Sequence, residues 1–246
     1  MGSGVKWEIY IYNRLAELYP KWRIALGGGD PEGKQTKFVD SVFKKYSVKT
    51  CIDLGGGVGI HDGPLQSMGY QVTNFDASQN AIDIVKQNFP HLKTILGSFE
   101  DINLESHFDA AISMWSTANY VLDPTAREKF YEWMQSHSRR VIIIDQPNFL
   151  IYPPTFYRVY THEGLRIERS WTLSKDHRRE TSFTYHMGES TIHNSETQQF
   201  LLVDELKKLL GNDWKLISIC GDYDLNCPFV ETSTRMISVF EKKTKD

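Results

Sequence analysis

Long apolar runs are missing from this sequence. No stretch of about 18 apolar residues, the length that spans a bilayer, occurs, and the amino terminus lacks the apolar core of a secretory signal. Membrane insertion, a membrane partner and Sec export are therefore not expected. Cysteine is scarce: Cys51, Cys220 and Cys227 are the three present. They lie on or beside β-prone runs and form no CxxC pair, which points to reduced buried thiols in a cytoplasmic protein. A basic excess is also lacking, with 28 Lys and Arg against 31 Asp and Glu and a formal charge of −3. Nucleic acid, which selects for a basic face, is not the expected partner. The eight histidines show neither HxxxH nor HxE spacing, so the pattern implies no metal. Internal repeats and low-complexity segments are absent.

What is present is an apolar run that ends in an acid and a glycine turn, Cys51-Ile52-Asp53-Leu54-Gly55-Gly56-Gly57-Val58-Gly59. Asp76 stands at the end of the next apolar run. Glycine tolerates positive φ and has no Cβ, so such a turn lets backbone N–H groups come close to a ligand. A carboxylate about twenty residues on is placed to grip a ribose through its hydroxyls. The dinucleotide fingerprint G-x-G-x-x-G fails in either register, because Ile60 or Asp62 falls where its third glycine belongs. The alternative reading of the segment is a glycine-rich connection in some other α/β protein.

The length of 246 residues suits one α/β domain with an elaboration. Trp7, Ile11, Leu15 and Leu18 have helical spacing, predicting a helix over 5–20 that Pro20 ends. A break at 27–31 precedes a second helix over 35–46. Strands at 50–54, 71–75, 93–96, 108–114 and 140–145 then alternate with helices near 60–68, 78–88 and 124–136. Such alternation predicts a parallel sheet with helices on both faces, whose ligands bind at the carboxyl ends of the strands. After Asp145 the pattern changes to β-prone runs at 156–160, 166–173 and 181–186, predicting an antiparallel insert. A helix over 200–210 and strands at 214–219 and 236–241 close the chain, the strands as an antiparallel hairpin at one sheet edge. The expected organisation is a helical lid (1–48), a cofactor-binding core (49–146), a substrate-cap insert (147–199) and a terminal helix and hairpin completing the core sheet (200–246).

The pattern D-x-G-x-G-x-G from Asp53 to Gly59 resembles motif I of the class I S-adenosylmethionine-dependent methyltransferases. Four further segments carry a similarity to the glycine N-methyltransferase and aminosugar N,N-dimethyltransferase group. They are Gly33-Lys34, the run Ile112-Ser113-Met114-Trp115-Ser116-Thr117-Ala118-Asn119-Tyr120, and the pair Ile144-to-Phe149 and Gly221-Asp222-Tyr223. The resemblance implies a seven-stranded Rossmann-like sheet, S-adenosyl-L-methionine as cofactor and a small-molecule acceptor, in a monomer or homodimer. In place of the acidic residue common after Gly97 in that group, this chain has Ser98, with Phe99 and Glu100 following.

Asp53, Gly55, Gly57, Gly59, Asp76, Ala77, Ser98, Phe99, Glu100, Met114 and Lys34 are the expected cofactor residues. Asp76 would hold the ribose, Ser78 being the better helix cap. Asp53 would orient the loop or neighbour the cofactor's ammonium, and Ser98 or Glu100 would accept from adenine, with Phe99 on its face. Lys34 would pair with the cofactor carboxylate or stand solvated at its helix start. Trp115 would face the sulfonium or simply pack. Asn119 and Tyr120 would enter the acceptor cleft, Tyr185 and His186 would face the acceptor from the insert, and His186 is the one histidine considered as a base. Tyr10, Tyr12, Arg14, Tyr19 and Trp22 are candidate lid residues. Arg158, Arg166, Arg169, Arg178 and Arg179 read as a solvated face, with an acidic acceptor as the alternative. Methyl transfer to an amine needs no strong base, and none stands out, so an amine acceptor is favoured; oxygen or carbon acceptors and a catalytically silent cofactor-binding module remain open.

Overall fold

The computed structural model describes residues 19–26, 30 and 32–244. The helix expected over 5–20 therefore lies outside them, save for its last two residues, as do Tyr10, Tyr12 and Arg14. A helix does run Tyr19–Ala25, with Pro20 in its first turn rather than ending it. The ring's missing N–H costs nothing there, because first-turn N–H groups have no intrahelical acceptor.

The core alternates as the sequence predicts. Strands β1 (Thr50–Leu54), β2 (Gln71–Asp76), β3 (Lys93–Leu96), β4 (Phe108–Ser113) and β5 (Ser138–Pro147) pair in parallel. After four insert strands come β10 (Trp214–Cys220) and β11 (Arg235–Lys242), which complete a seven-stranded sheet in the order β10-β11-β5-β4-β1-β2-β3. β11 runs antiparallel between β5 and β10. Ile52, Ala111, Ile142 and Phe240 face one helical layer, packed with Phe130 and Tyr131 of the helix Pro124–His137. Cys51, Ala110, Val141 and Ile237 face the other, packed with Phe38, Val42 and Phe43 of the helix Lys34–Lys45. Adjacent strand residues thus feed opposite layers, the period-two rule of a sheet buried on both sides. Helix Gln79–Asn88 begins at Ser78, whose hydroxyl accepts from Ala81 N at 3.2 Å; such a cap contributes about 1 kcal/mol.

The insert is a separate four-stranded antiparallel sheet: β6 (Thr155–His162), β7 (Leu165–Leu173), β8 (Arg178–Met187) and β9 (Ser190–Gln199), in that spatial order. β9 is not among the three β-prone runs read from the sequence. Its residues, STIHNSETQQ, are nearly all polar, and full pairing with β8 supplies the order that composition does not.

Candidate functional site

The glycine turn leaves β1 with Gly55, Gly57 and Gly59 all at positive φ (85°, 53° and 80°). They do different things. A Cβ on Gly55 would meet Thr117 Cγ2 at 2.0 Å, and one on Gly56 would meet Asn74 Nδ2 at 2.3 Å. One on Gly59 would press on Val85 and Phe89. Only Gly57, of these four, would project its Cβ into open space. The other three are small because the protein's own side chains crowd them, and Gly57 alone offers a ligand a bare backbone.

Asp76 sits beside that opening. Its Oδ2 accepts from Gly57 N at 2.9 Å and its Oδ1 from Ser78 N at 2.8 Å. Burial pushes its carboxyl above the ordinary range, while the N–H groups of Ser78, Gly57 and Ala77 pull it back. Each oxygen retains a further lone pair. Behind the loop, Asp53 and Asp62 are buried, at 1% and 0% exposure. Asn74 Nδ2 donates to Asp62 Oδ2 at 2.5 Å, and the Asp53 carboxyl interacts with that of Asp62. Burial first, and then the neighbouring acid, holds Asp53 well above the usual carboxylate range; burial pushes Asp62 up to about 7. Two buried carboxyls side by side do not both ionise at neutral pH.

Past β3, Ser98 caps the short 3-10 turn Phe99–Asp101. Phe99 stacks on Phe75 at 5.9 Å and tilts against Phe130 at 4.9 Å, so part of its ring belongs to the core, while Glu100 is exposed. Met114 is buried in the layer facing the helix Lys34–Lys45.

At the exit of β4, Trp115 and Ser116 are both left-handed, with φ of 60° and 71°. Bulky L-residues adopt this conformation only when something holds them. Asp145 on β5 does so: its Oδ2 accepts from Trp115 N at 2.9 Å and its backbone carbonyl from Ser116 N at 2.9 Å. Tyr223 OH and Arg235 Nε donate to the same carboxylate, each at 2.9 Å. Sequence reading missed this hub, although Asp145 ends the strand predicted over 140–145 and Asp53 nearly ends β1. Trp115 Nε1 donates to Gln35 Oε1, which also receives His61 Nε2 at 2.9 Å. Burial lowers His61 to about 4, so its imidazole is neutral. A cation does cover the Trp115 ring: the Arg23 guanidinium, 3.1 Å from its centroid.

A cavity of about 560 Å³ opens between the carboxyl edge of the core sheet and the insert. Trp115 and Ser116 line it at the exit of β4, Tyr152, Arg169, Arg179 and Glu196 line it from the insert side, and Lys34, Asp222 and Tyr223 from the core side. Tyr120 enters it as expected and donates to Glu196 Oε2 at 2.6 Å. Asn119 does not line it. Buried, it donates through Nδ2 to Gln146 Oε1 at 3.1 Å and to the Gln199 carbonyl at 2.9 Å, tying insert to core. Lys34 pairs with Asp222 at 2.7 Å, so it does not stand alone at its helix start.

Tyr185 and His186 cannot both face an acceptor, because consecutive strand residues point to opposite faces. Tyr185 packs with Ile167 and Phe183, near Ala25 and Leu26, and does not line the cavity. His186 lies on the outer face against Glu168 and Thr191. The solvated-face reading holds for Arg158, Arg166 and Arg178, which are exposed, but fails for Arg169 and Arg179, which line the cavity. Tyr19 and Trp22 lie on the helix Tyr19–Ala25.

Residues 51–140 match the model of a family described as a methyltransferase domain. No curated protein matches the chain. Solved structures share its fold at low identity. An S-adenosylmethionine-dependent methyltransferase from Clostridium acetobutylicum is 16% identical with a TM-score of 0.80, over 95% of this chain and 100% of that one. The CcbJ methyltransferase from Streptomyces caelestis is 15% identical with a TM-score of 0.81, over 95% and 98%. CalS10, an amino pentose methyltransferase from Micromonospora echinaspora solved with S-adenosylmethionine bound, is 13% identical with a TM-score of 0.69, over 92% and 97%.

Proposed function

Taking residues 51–140 as a class I S-adenosylmethionine-dependent methyltransferase domain, we propose that the protein moves a methyl group to the amine nitrogen of a small molecule held in the cavity under the insert. The observation that carries this reading is the Tyr120–Glu196 pair, hydrogen-bonded at 2.6 Å and lining a cavity that starts at Trp115 and Ser116. An amine reaches neutral solution as an ammonium. Glu196 attracts that charge and accepts hydrogen bonds from it, while Tyr120 fixes the carboxylate's orientation. The proton leaves to Glu196 or to water before the nitrogen attacks, and no histidine base is needed.

The cofactor residues follow from the same geometry. Gly57 supplies the bare backbone along which the amino-acid tail passes, and the buried Asp53–Asp62 pair stands behind that loop. Asp76 is already oriented by two N–H groups and offers its remaining lone pairs to the ribose hydroxyls. Phe99 borders the adenine, with Ser98 and Glu100 beside it. When bound, S-adenosylmethionine brings a methyl group already activated by its sulfonium. The chain then has to align nitrogen and methyl and keep water out, alignment alone being worth about 7–11 kcal/mol. Asp145 serves the alignment by locking Trp115 and Ser116 at the junction of the two compartments. The sugar N-methyltransferase KedS8, a protein of the same fold, supports a nitrogen acceptor.

The test is transfer of labelled methyl from S-adenosylmethionine to a panel of small amines, phenols and carboxylic acids, with products identified by mass spectrometry. Label on nitrogen is the expected result. Label confined to oxygen or carbon products would overturn the amine assignment.

A further inference from the structure

The insert sheet has two faces of different charge. On the outer face, Arg166 meets Glu168 at 2.6 Å and Arg178 meets Glu180 at 3.9 Å, so each arginine has a carboxylate two residues on. The inner face is not balanced. Register places Arg158 opposite Arg169 there, with Trp171, Arg179, Thr181, Phe183, Glu196 and Gln198 on the same side. That makes three arginines to one glutamate. Arg158 is exposed at the edge, but Arg169 and Arg179 line the cavity.

Arg179 is 4% exposed. It donates through Nη2 to Gln198 Oε1 and stands 3.8 Å from Glu196, yet its Nε has no acceptor among the described residues. The buried Nε of Arg169 has none either, and no carboxylate pairs with it there. Both guanidinium groups flank the Trp171 ring, at 4.9 and 5.8 Å from its centroid. Burial and the like charge of Arg169 lower the proton affinity of Arg179. Buried guanidinium donors without acceptors are costly, and arginine forks match carboxylate and phosphate oxygens in pairs. Neither Asp222 nor Asp30 fills the gap. Asp222 pairs with Lys34, and Asp30 accepts the N–H groups of Gln35 and Thr36.

We propose that Arg169 and Arg179 form an anion subsite that holds a carboxylate or phosphate group of the acceptor against the Trp171 and Phe183 side of the cavity. The substrate class is then an amine that also carries an anionic group, its nitrogen toward Glu196 and Tyr120 and its anion toward the arginines. This rests on the methyl-transfer reading of the cavity, but the subsite is testable by binding alone.

The probes are benzoate, phenyl phosphate, neutral benzamide and inorganic phosphate, titrated into protein saturated with S-adenosylhomocysteine and followed by indole NMR signals. Benzoate or phenyl phosphate should bind at least about tenfold tighter than benzamide, the advantage expected of charge-assisted bonds. Arg169→Gln should erase that preference, Arg169→Lys should keep part of it, and the outer-face variant Arg178→Gln should leave it intact. Cofactor affinity and melting temperature confirm that each variant folds. The proposal fails if benzamide binds as well as the anions, if none of the anions binds, or if Arg169→Gln and Arg178→Gln behave alike. Inorganic phosphate binding as tightly as phenyl phosphate would assign the arginines to a free anion and also overturn the acceptor subsite. Anion binding that persists while no amine is methylated would overturn the proposed reaction instead, so the two failures are separable.

Discussion

The carboxyl edge of the core sheet and the inner face of the insert both bury charged side chains, and they manage them in opposite ways. At the core edge, Asp53 and Asp62 are kept from ionising together by burial, Asp145 is saturated with protein donors, and Asp76 is held in orientation by backbone N–H groups. That edge is preorganised before any ligand arrives. On the insert, Arg169 and Arg179 keep guanidinium donors unused. The difference suits a fixed cofactor compartment beside an acceptor compartment that is completed by what it binds.

The largest expected effect separates two glycines of one turn. Gly57→Val fills the open space beside Asp76, so S-adenosylhomocysteine affinity should fall by about 100-fold or more by calorimetry, while left-handed strain costs the fold only about 1–2 kcal/mol. Gly55→Ala should do the reverse in kind, because its Cβ would sit 2.0 Å from Thr117 Cγ2: the melting temperature drops first, and binding suffers only through misfolding. Equal loss of binding at matched stability in both variants would break the distinction.

Asp76→Ala removes a charge-assisted acceptor for two hydroxyls, about 1.5–3 kcal/mol or a 10- to 100-fold rise in the cofactor's Kd. Wild-type affinity in that variant would place the ribose elsewhere. A smaller effect belongs to the acceptor side. Tyr120→Phe loses the bond to Glu196, worth about 0.5–1.5 kcal/mol, and should lower kcat/KM several-fold with cofactor affinity unchanged.

The smallest effect is a pH slope. Burial lifts Asp62 from 3.8 to about 7, so its contribution to stability is complete below its unfolded value and lost as pH rises through about 7. Burial lowers His61 from 6.5 to about 4, so its contribution is present above 6.5 and lost as pH falls toward 4. These slopes oppose each other in the acid range, whereas above pH 6.5 the aspartate's remains. Wild-type melting temperature should therefore fall between pH 6.5 and 8, and Asp62→Asn should flatten that fall. An unchanged slope in the variant would assign the fall to Asp53, whose carboxyl burial also raises, rather than to Asp62.

Much of the core was legible because its elements are local and periodic: the strand-glycine-helix passage at Asp53–Gly59, the cap at Ser78 and the edge hairpin all carry short-range signals. Spacing singled out Asp76, and its bond to Gly57 N is what the structure adds. What the sequence concealed depends on partners far along the chain. Asp145 acquires its place from Trp115, Tyr223 and Arg235, none of which is a sequence neighbour. β9 is too polar to announce itself. Arg169 and Arg179 differ from Arg166 and Arg178 only in strand parity, which register reveals and composition cannot.

The division into two compartments is tested most directly by comparing Asp76→Ala with Glu196→Gln in paired assays of S-adenosylhomocysteine binding and labelled methyl transfer to the amine panel. Asp76→Ala should lose both cofactor affinity and turnover at subsaturating cofactor. Glu196→Gln should bind the cofactor as wild type does and still lose turnover. Cofactor affinity falling equally in the two variants, or full turnover by Glu196→Gln, would contradict the account.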